Sequence, residues 1–321
     1  MLIGPAGYIE NPFDKVSYMT VASERPKLSV IIIGYNMARE LPRTIRSMSP
    51  AMQRGLHDSD YELILLDNGS TQPFDANLLL GLAPNLSIHR VQNPSASPVG
   101  AIRLGLELAR GDLVGVCIDG ARMASPGLFS TALAASKLHA KPMIGTLAFH
   151  LGPEVQMQSV LKGYNQTVED QLLDSSSWET DGYRLFGVSA FAGSSNDGWF
   201  VTPAETNALF LTARHWRELG GYDQRFQTPG GGLANLDIWL RVCEDHSGAL
   251  IMLLGEATFH QVHGGIATNN PVSPWEQFHE EYMRLRGKAF AKSKRGPLFY
   301  GALNRETYPS LRRSINALTP V

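Results

Sequence analysis

The sequence predicts an α/β protein with a doubly wound, mostly parallel sheet. The first observation is a set of short apolar runs rich in β-branched residues, such as 28–33 (LSVIII) and 61–66 (YELILL), which are typical of strands buried on both faces. The second is that segments of helical length and periodicity separate these runs. Strands that alternate with helices at this spacing indicate crossover units and therefore a parallel sheet.

The first half of the chain carries the regular part of this pattern. Gly34 ends a strand and Gly111 closes a helix, as glycine often does where the chain turns. Because ligands of such sheets bind beyond the carboxyl ends of the strands, and these ends carry GYN, DNGST and DGAR, we expect polar chemistry along one edge. The predicted elements are a strand at 28–33, a helix at 38–48, strands at 61–66 and 86–91, a helix at 98–109 and a strand at 113–118.

The second half is more irregular. A long Ser/Gly/Asp/Gln-rich stretch, from the end of a strand at 143–149 to about residue 197, exceeds a plain connection. It is expected to be a binding loop or lid with a short helix near 168–173. The other predicted elements are a strand at 208–211, a helix at 213–219, a glycine-rich loop (TPGGG), a helix from 236, a strand at 250–254 and a tail helix at 275–291.

Composition and charge exclude several classes of protein. The chain of 321 residues is 43% hydrophobic and 18% charged, as expected of a globular protein, and its formal charge of -2 predicts no nucleic-acid partner. No apolar run approaches the ~20 residues that span a bilayer, and the N-terminus lacks the plan of a signal peptide. Cys117 and Cys243 lie in apolar runs and are expected to be buried free thiols. A soluble, cytoplasmic protein is therefore expected.

Five segments, taken in order, resemble glycosyltransferase family 2. They are LSVIIIGYN, YELILLDNGST, GLELARGDLVGVCIDGARMASPGLF, LTARHWRELGGYDQRF and LDIWLR, and together they cover roughly 28–244. Members of the family show Asp-Asp-Gly-Ser, Asp-x-Asp, Gly-Gly-Phe-Asp and Glu-Asp-x-Asp motifs at these places. The resemblance implies the Rossmann-like GT-A fold with helices on both faces of its sheet. The implied divisions are an arm at 1–25, a GT-A domain at 26–270 (nucleotide-binding half 26–125, acceptor half 126–270) and a helical extension at 271–321.

The activity implied by the resemblance is transfer of a sugar from a nucleotide-diphosphate donor, expected to be a UDP-sugar, to a hydroxyl acceptor. Glycan or lipid-linked acceptors, as in polysaccharide synthesis, are the implied partners, and the oligomeric state is left open. Two alternatives remain: a catalytically silent protein that binds nucleotide or glycan, and a transferase that retains anomeric configuration. A nucleotidyltransferase and a dinucleotide oxidoreductase are disfavoured, because neither a Gly-x-Gly-Thr-Arg-like loop nor the glycine fingerprint follows the first strand.

Asp67, at the end of the second strand, is the main candidate for recognising the nucleotide. By the resemblance it accepts a hydrogen bond from the ring N–H of uracil, and an ionised carboxylate is suited to this because it only accepts. The alternative is a turn residue, since DNGST has strong turn chemistry on its own. The implied nucleotide-binding residues are Gly34, Tyr35, Asn36, Asp67, Asn68, Gly69, Arg103, Asp119, Gly120 and Ala121.

Asp119 opens the segment DGA, where the family has Asp-x-Asp and uses it to hold a divalent cation. Ala121 stands at the position of the second carboxylate and offers no ligand atom. His263 is the compensating candidate for metal or diphosphate, and His260 lies three residues earlier. The implied cation is Mn²⁺ or Mg²⁺, of which Mn²⁺ accepts imidazole more readily.

Two arginines offer another way to neutralise a diphosphate. Arg122 and Arg103 are expected to flank its position, and a guanidinium binds phosphate oxygens bidentately without a metal. An ordinary surface role for either arginine is the alternative.

The catalytic base of the family is the Asp of its Glu-Asp pair. The resemblance places Ala234 and Asn235 at that pair and Asp237 on the later Asp, yet an Asn side chain takes up no proton at neutral pH. Asp237 lies about 200° further around the helix and suits the helix dipole there, which is a structural alternative. Glu205, in TPAETN, approaches from another segment. The catalytic candidates are therefore Asn235, Asp237 and Glu205.

The tail helix at 275–291 has the spacing of an amphipathic docking helix. Its apolar residues recur at three and four positions, and a basic cluster follows it. Packing against the catalytic domain is expected, and peripheral contact with the inner face of a membrane is the alternative. The residues concerned are Trp275, Phe278, Tyr282 and Leu285, followed by Lys288, Lys292, Lys294 and Arg295.

Overall fold

A single mixed sheet forms the centre of the protein. The computed structural model describes residues 8–11, 15–19, 25–265 and 274–318. Within these residues the sheet has 12 strands. They are β1 (Tyr8–Asn11), β2 (Lys15–Met19), β3 (Leu28–Gly34), β4 (Tyr61–Asp67), β5 (Leu86–Arg90), β6 (Leu113–Cys117), β7 (Arg122–Ala124), β8 (Pro142–Leu151), β9 (Ser189–Phe191), β10 (Leu209–Thr212), β11 (Ala249–His260) and β12 (Leu298–Gly301).

Helices on both faces bury the sheet. The described α-helices are α1 (Leu41–Met48), α2 (Ala76–Leu82), α3 (Val99–Leu108), α4 (Leu128–Ala135), α5 (Gln156–Leu161), α6 (Gln166–Ser176), α7 (Ala213–Leu219), α8 (Ala234–Glu244), α9 (Trp275–Arg286) and α10 (Tyr308–Leu318). Val30 and Ile32 of β3 lie in one core with α1, whereas Ile31 and Ile33 lie in a second core with α3. Since alternate residues of a strand point to opposite faces, the predicted doubly wound arrangement is confirmed.

The strand order fixes the fold class. It runs β1-β2-β5-β4-β3-β6-β10-β8-β11-β12, with β7 paired to β11 and β9 to β8. Strands β3 to β6 are mutually parallel where they pair, and β10 runs antiparallel between β6 and β8. This mixed, mostly parallel sheet with helices on both faces is the predicted GT-A fold.

Strand β11 extends well beyond its predicted end at residue 254. Gly255 has a φ of +77°, and the register with β8 shifts between Met252 and Ala257. The prediction stopped early because Gly255 and Glu256 interrupt the apolar run. The strand continues past this irregularity to His260 and so delivers that side chain to the polar edge.

Several elements were not predicted. Helix α4 has only eight residues and was not recognised, although its buried residues Leu128, Phe129, Ala132 and Ala135 recur with helical spacing. The stretch from 152 to 197, predicted as a loop or lid with a helix near 168–173, is largely structured: it contains α5, α6 and β9. The predicted short helix is thus confirmed and extended by α6.

Both ends of the described chain add strands to the sheet. The hairpin of β1 and β2 pairs with β5, while residues 1–7, 12–14 and 20–24 of the predicted arm lie outside the described residues. The predicted domain boundary at residue 270 falls within 266–273, which is also outside them. Helix α9 ends at a left-handed Gly287, earlier than predicted, and β12 pairs in parallel with β11. No described helix has the length and apolarity needed to cross a bilayer.

The two cysteines lie in the cores on opposite faces of the sheet. Cys117 and Cys243 are both 0% exposed, and neither forms a disulfide. The prediction of buried free thiols is confirmed.

The close approach of β6 and β10 at Gly115 and Phe210 predicts how two glycine variants differ in stability. A Cβ on buried Gly115 would lie 2.5 Å from the Phe210 ring, whereas a Cβ on Gly100, exposed on α3, meets nothing within 4 Å. We expect Gly115→Ala to lower the free energy of unfolding by about 1–3 kcal/mol through overpacking. Gly100→Ala should leave it unchanged or raise it by up to about 1 kcal/mol. Denaturant unfolding of both variants tests this, and an unchanged Gly115→Ala protein would contradict the packing described.

Candidate active site

The polar segments predicted to share one edge come together. Strands β3 and β4 are parallel with Gly34 opposite Asp67, so their carboxyl ends coincide. The carbonyl of Gly34 accepts from the N–H of Asn68 at 2.8 Å, and the carbonyl of Ile33 accepts from the N–H of Gly120 at 2.7 Å. Backbone hydrogen bonds therefore join the GYN, DNGST and DGA turns.

Asn36 braces two of these turns. Its φ of 52° lies in the left-handed region, which Asn tolerates better than most residues. Its Oδ1 accepts from the N–H of Thr71 at 2.8 Å and of Gln72 at 3.0 Å, and its N–H donates to Ser70 Oγ at 2.9 Å. Tyr35 beside it is 52% exposed, so its ring stands at the rim of the edge.

Asp67 is 5% exposed and partly engaged by its own turn. Its Oδ1 accepts from the N–H of Ser70 at 2.8 Å, and its Oδ2 lies 3.6 Å from Arg90 Nη1. The turn chemistry considered as an alternative is therefore present. Contact of Asp67 with a base stays a prediction.

Asn68 and Gly69 complete the turn after β4. Asn68 Nδ2 donates to the carbonyl of Ser95 at 2.9 Å. Gly69 has a φ of +83°, and a Cβ there would lie 2.4 Å from Pro94 Cγ. A side chain at residue 69 would collide with Pro94, so only glycine fits this turn.

Asp119, His260 and His263 form a compact cluster at the same edge. Asp119 Oδ2 lies 2.9 Å from His260 Nε2 and 3.5 Å from His263 Nε2, and the two Nε2 atoms are 3.2 Å apart. Donor atoms that share a metal at about 2.1 Å lie roughly 3 Å from one another. The spacing therefore fits a single cation, and Asp119, His260 and His263 are the residues that would hold it.

Gln156 fixes the orientation of His260. Gln156 Nε2 donates to the backbone carbonyl of His260 at 2.8 Å, which turns Gln156 Oε1 toward His260 Nδ1 at 2.6 Å. His260 then carries its proton on Nδ1, and its Nε2 lone pair faces the carboxylate of Asp119. Two acceptors face each other here, an arrangement that a cation held by both would stabilise. Partners of this kind commonly orient metal-binding imidazoles.

The charges of the cluster follow from burial and from one another. Burial and then Arg122 lower the pKa of His260 to about 4, so this imidazole is neutral. Burial lowers the pKa of His263, but Asp119 and Glu40 outweigh that effect and raise it. Burial raises the pKa of Asp119, yet His263 and His260 hold it well below its usual range. The raised pKa favours the protonated form of His263, and a bound cation would displace that proton.

The segment that carries His263 is anchored by α6. Both carboxylate oxygens of Glu169 accept from the N–H of Val262, at 3.1 and 2.9 Å, and Arg39 Nη1 donates to the Val262 carbonyl at 3.2 Å. Glu169 is 0% exposed and also lies 3.3 Å from Arg39 Nη2. These positioning residues were missed, because no pattern in the sequence links α6 to residue 262.

Ala121 lies in the core, and its side chain offers the cluster no ligand atom. It is 0% exposed, its N–H donates to Asp119 Oδ1 at 2.9 Å, and its carbonyl accepts from the N–H of Gln261 at 2.9 Å. The position thus holds the turn and the chain beside His260 in place. His263, predicted to stand in for the missing ligand, lies near Asp119 together with His260, and its role as a ligand stays a prediction.

Asn235 and Glu205 meet on the other side of the edge. Asn235 Nδ2 donates to Glu205 Oε2 at 2.7 Å and to the carbonyl of Thr206 at 3.0 Å, while its Oδ1 accepts from the hydroxyl of Tyr222 at 2.9 Å. Both the N–H and the C=O groups of the Asn235 amide are therefore hydrogen-bonded, and one of these hydrogen bonds positions the carboxylate of Glu205. Tyr222 stands in the motif GGYD but was not singled out from the sequence.

Two predicted site residues lie elsewhere. Asp237 is 2% exposed, with Oδ1 2.5 Å from Arg286 Nε and Oδ2 2.9 Å from Arg241 Nε, contacts that favour its structural role. Arg103 pairs with Glu107 at 3.0 Å on α3 and lines a groove that includes neither Asp67 nor Asp119. The structure does not bring Arg103 to the polar edge.

The sheet has the arrangement of the GT-A fold, and residues 29–130 match the model of the family described as Glycosyl transferase family 2. The predicted resemblance to this family is confirmed over that part of the chain. No curated protein matches the sequence.

Solved structures similar to this chain include crystal structures of S. aureus TarS. TarS 1-349 in complex with UDP-GlcNAc is 17% identical, with a TM-score of 0.49, and the match covers 81% of this chain and 65% of that one. TarS 1-349 alone is 13% identical, with a TM-score of 0.47 and coverage of 81% and 64%. The longer TarS is 17% identical, with a TM-score of 0.47 and coverage of 81% and 38%. This chain spans less than two thirds of each TarS chain.

The cluster geometry predicts that His263 is needed for cation binding. His263→Ala removes one of three donors, so we expect the affinity for Mn²⁺, measured by calorimetry, to fall at least tenfold. His246→Ala, at an exposed position after α8, is the matched control and should bind Mn²⁺ as the parent does. Parent-like affinity in the His263 variant would remove that residue from the site.

Proposed function

We propose that this chain is a glycosyltransferase that moves a sugar from a UDP-sugar to a hydroxyl of a glycan or lipid-linked acceptor. One observation carries the proposal: Asp119, His260 and His263 cluster at the same sheet edge as Asp67, in a chain whose residues 29–130 match Glycosyl transferase family 2. In this proposal the turn after β4 binds the nucleotide, the cluster of Asp119, His260 and His263 binds a cation, and Glu205 accepts the proton of the acceptor hydroxyl.

The nucleotide is assigned to the ends of β3 and β4. Asp67 would accept the ring N–H of uracil, since a carboxylate rejects a base that presents an acceptor there. Its turn is already braced by Asn36 and Ser70, so little ordering is needed on binding. Tyr35, exposed at the rim, offers a ring face to the base.

The diphosphate is assigned to the cluster around Asp119. A divalent cation held there would neutralise charge on the leaving diphosphate. Gln156 fixes the imidazole of His260 by a hydrogen bond to its Nδ1. Glu169 fixes the segment that carries His263 by accepting from the N–H of Val262. The chain thus prepares the site before any ligand arrives.

The acceptor proton is assigned to Glu205. Asn235 occupies the position of the base in the family but donates its amide to Glu205 Oε2 at 2.7 Å. A half-buried carboxylate held in this way can take the proton of an acceptor hydroxyl as that oxygen attacks the anomeric carbon. Asn235 then acts as a positioning residue for Glu205.

A catalytically silent binding protein is the second candidate. The observation that favours it is that both departures are structurally accommodated: Ala121 is buried in the core and the amide of Asn235 is fully hydrogen-bonded. Such a protein binds UDP but releases none from any UDP-sugar. Turnover separates the two candidates.

Asp67→Ala is expected to weaken UDP binding by about 1–3 kcal/mol, the cost of a lost charged hydrogen bond. Isothermal calorimetry with UDP measures this, and Asp58→Ala, at an exposed position before β4, is the matched control. UDP affinity equal to that of the parent would place Asp67 outside the nucleotide site.

Glu205→Gln is expected to reduce turnover by about 10²–10⁴-fold, because the general base is lost, while UDP affinity is unchanged. The initial rate of UDP release from a panel of UDP-sugars with a glycan acceptor mixture measures this. Glu107→Gln, on the exposed face of α3, should behave as the parent. A parent-like rate for Glu205→Gln would exclude Glu205 as the base, and UDP binding without turnover in the parent would establish the silent protein.

A further inference from the structure

Arg122 is a buried cation that forms no salt bridge with any described residue. It begins β7, opposite His260 of β11, and is 5% exposed. Its Nε and Nη1 atoms are enclosed and have no hydrogen-bond partner among the described residues. Taking a guanidinium out of water is costly, and pairing normally offsets that cost. The unpaired N–H groups of Arg122 are therefore available to donate hydrogen bonds to an anion.

Two partly buried arginines have fully satisfied guanidinium groups, whereas Arg43 keeps an Nη1 without a partner among the described residues, beside the Nη2 that pairs with Asp170. Arg241 donates from Nε to Asp237 and from Nη1 and Nη2 to the carbonyls of Leu219 and Gly221, at 2.7–2.9 Å. Arg295 donates to three backbone carbonyls in the same manner. The fold thus supplies acceptors for Arg241 and Arg295 and an ion pair for Arg43, whereas Arg122 has no charged partner within 4.0 Å among the described residues.

Arg122 is electrostatically coupled to both parts of the site. Asp119 and Glu205 both act on its charge, and it in turn lowers the pKa of His150 and His260. The guanidinium therefore lies within electrostatic range of the cation cluster and of the carboxylate held by Asn235. Neither carboxylate comes within 4.0 Å of it in the described structure, so neither neutralises it by direct contact.

A second enclosed donor without a partner in the described structure is the amide of Asn207, which lies beside Asn235. Asn207 is 3% exposed, and its Nδ2 has no acceptor among the described residues. Its Oδ1 lies 3.5 Å from Nδ2 of Asn235, the amide that holds Glu205. Two orphaned donors, one on β7 and one in the segment before β10, indicate a ligand rich in acceptor oxygens, because most enclosed N–H groups are paired.

We propose that Arg122 and Asn207 form an oxyanion subsite that binds a negatively charged group of the substrate, between the cation cluster and Glu205. The proposal rests on the proposed function and specifies the substrate class of that site. Two groups share the required chemistry: the phosphate of the leaving nucleotide, and a carboxylate on the transferred sugar. A guanidinium binds either one bidentately.

Arg122→Met tests the subsite, with Arg217→Met, an exposed arginine of α7, as the matched control. Affinities for uridine, UDP, UDP-glucose and UDP-glucuronate are measured by calorimetry in Mn²⁺ and in EDTA. If the group is phosphate, Arg122→Met weakens UDP and both UDP-sugars at least tenfold and leaves uridine unchanged. If it is a sugar carboxylate, the parent prefers UDP-glucuronate to UDP-glucose, and the variant loses that preference while UDP is unaffected.

Thermal unfolding without ligand separates binding from a structural role. Removal of an unpaired buried charge should leave the melting temperature of Arg122→Met equal to or above that of the parent. A lowered melting temperature with parent-like affinities for all four ligands overturns the subsite. If Arg122→Met does not fold, Arg122→Lys replaces it and must weaken the same ligands at least threefold, and parent-like affinities again overturn the proposal. Failure of the parent itself to bind UDP overturns the proposed function instead.

Discussion

The contact between the carboxylate of Asp119 and the imidazole of His260 is the interaction on which the rest of the site depends. These residues are 141 positions apart in the chain, one following β6 and the other ending β11. They meet because β7 turns back antiparallel onto β11. The strand pair that completes this part of the sheet therefore also assembles the cluster, so the fold and the site cannot be separated.

Burying this contact imposes requirements on the surrounding structure. A neutral imidazole needs a partner for Nδ1, which Gln156 supplies, and the segment after β11 needs an anchor, which Glu169 and Arg39 supply. Gln156 and Glu169 both belong to the stretch between β8 and β9. That stretch therefore positions His260 and the segment of His263. Its polar, glycine-containing composition does not suggest this role.

The sequence was sufficient for the sheet and for its polar edge. Strands such as β3 and β4 are continuous apolar runs, and the polar turns after them must share an edge in any parallel sheet. The site was only partly predictable. His263 was found because Ala121 left a ligand missing, but the contacts of Asn235 with Glu205 and Tyr222 join three separate segments that no local pattern connects. Asp237 resembled a catalytic residue by motif. Its partner Arg241 lies four residues along the same helix, but its second partner, Arg286, became visible only when α8 and α9 were brought together.

The buried cysteines have a practical consequence for chemical labelling. Burial raises the pKa of both Cys117 and Cys243 to about 12, and the thiolate is the form that reacts with alkylating reagents. The native thiols are therefore inert in the folded protein. A single cysteine introduced in place of the exposed Tyr35 would be the reactive one, and a fluorophore attached there would sit at the rim of the edge between β3 and β4. The protein is in this sense ready for site-specific labelling without removal of its own cysteines.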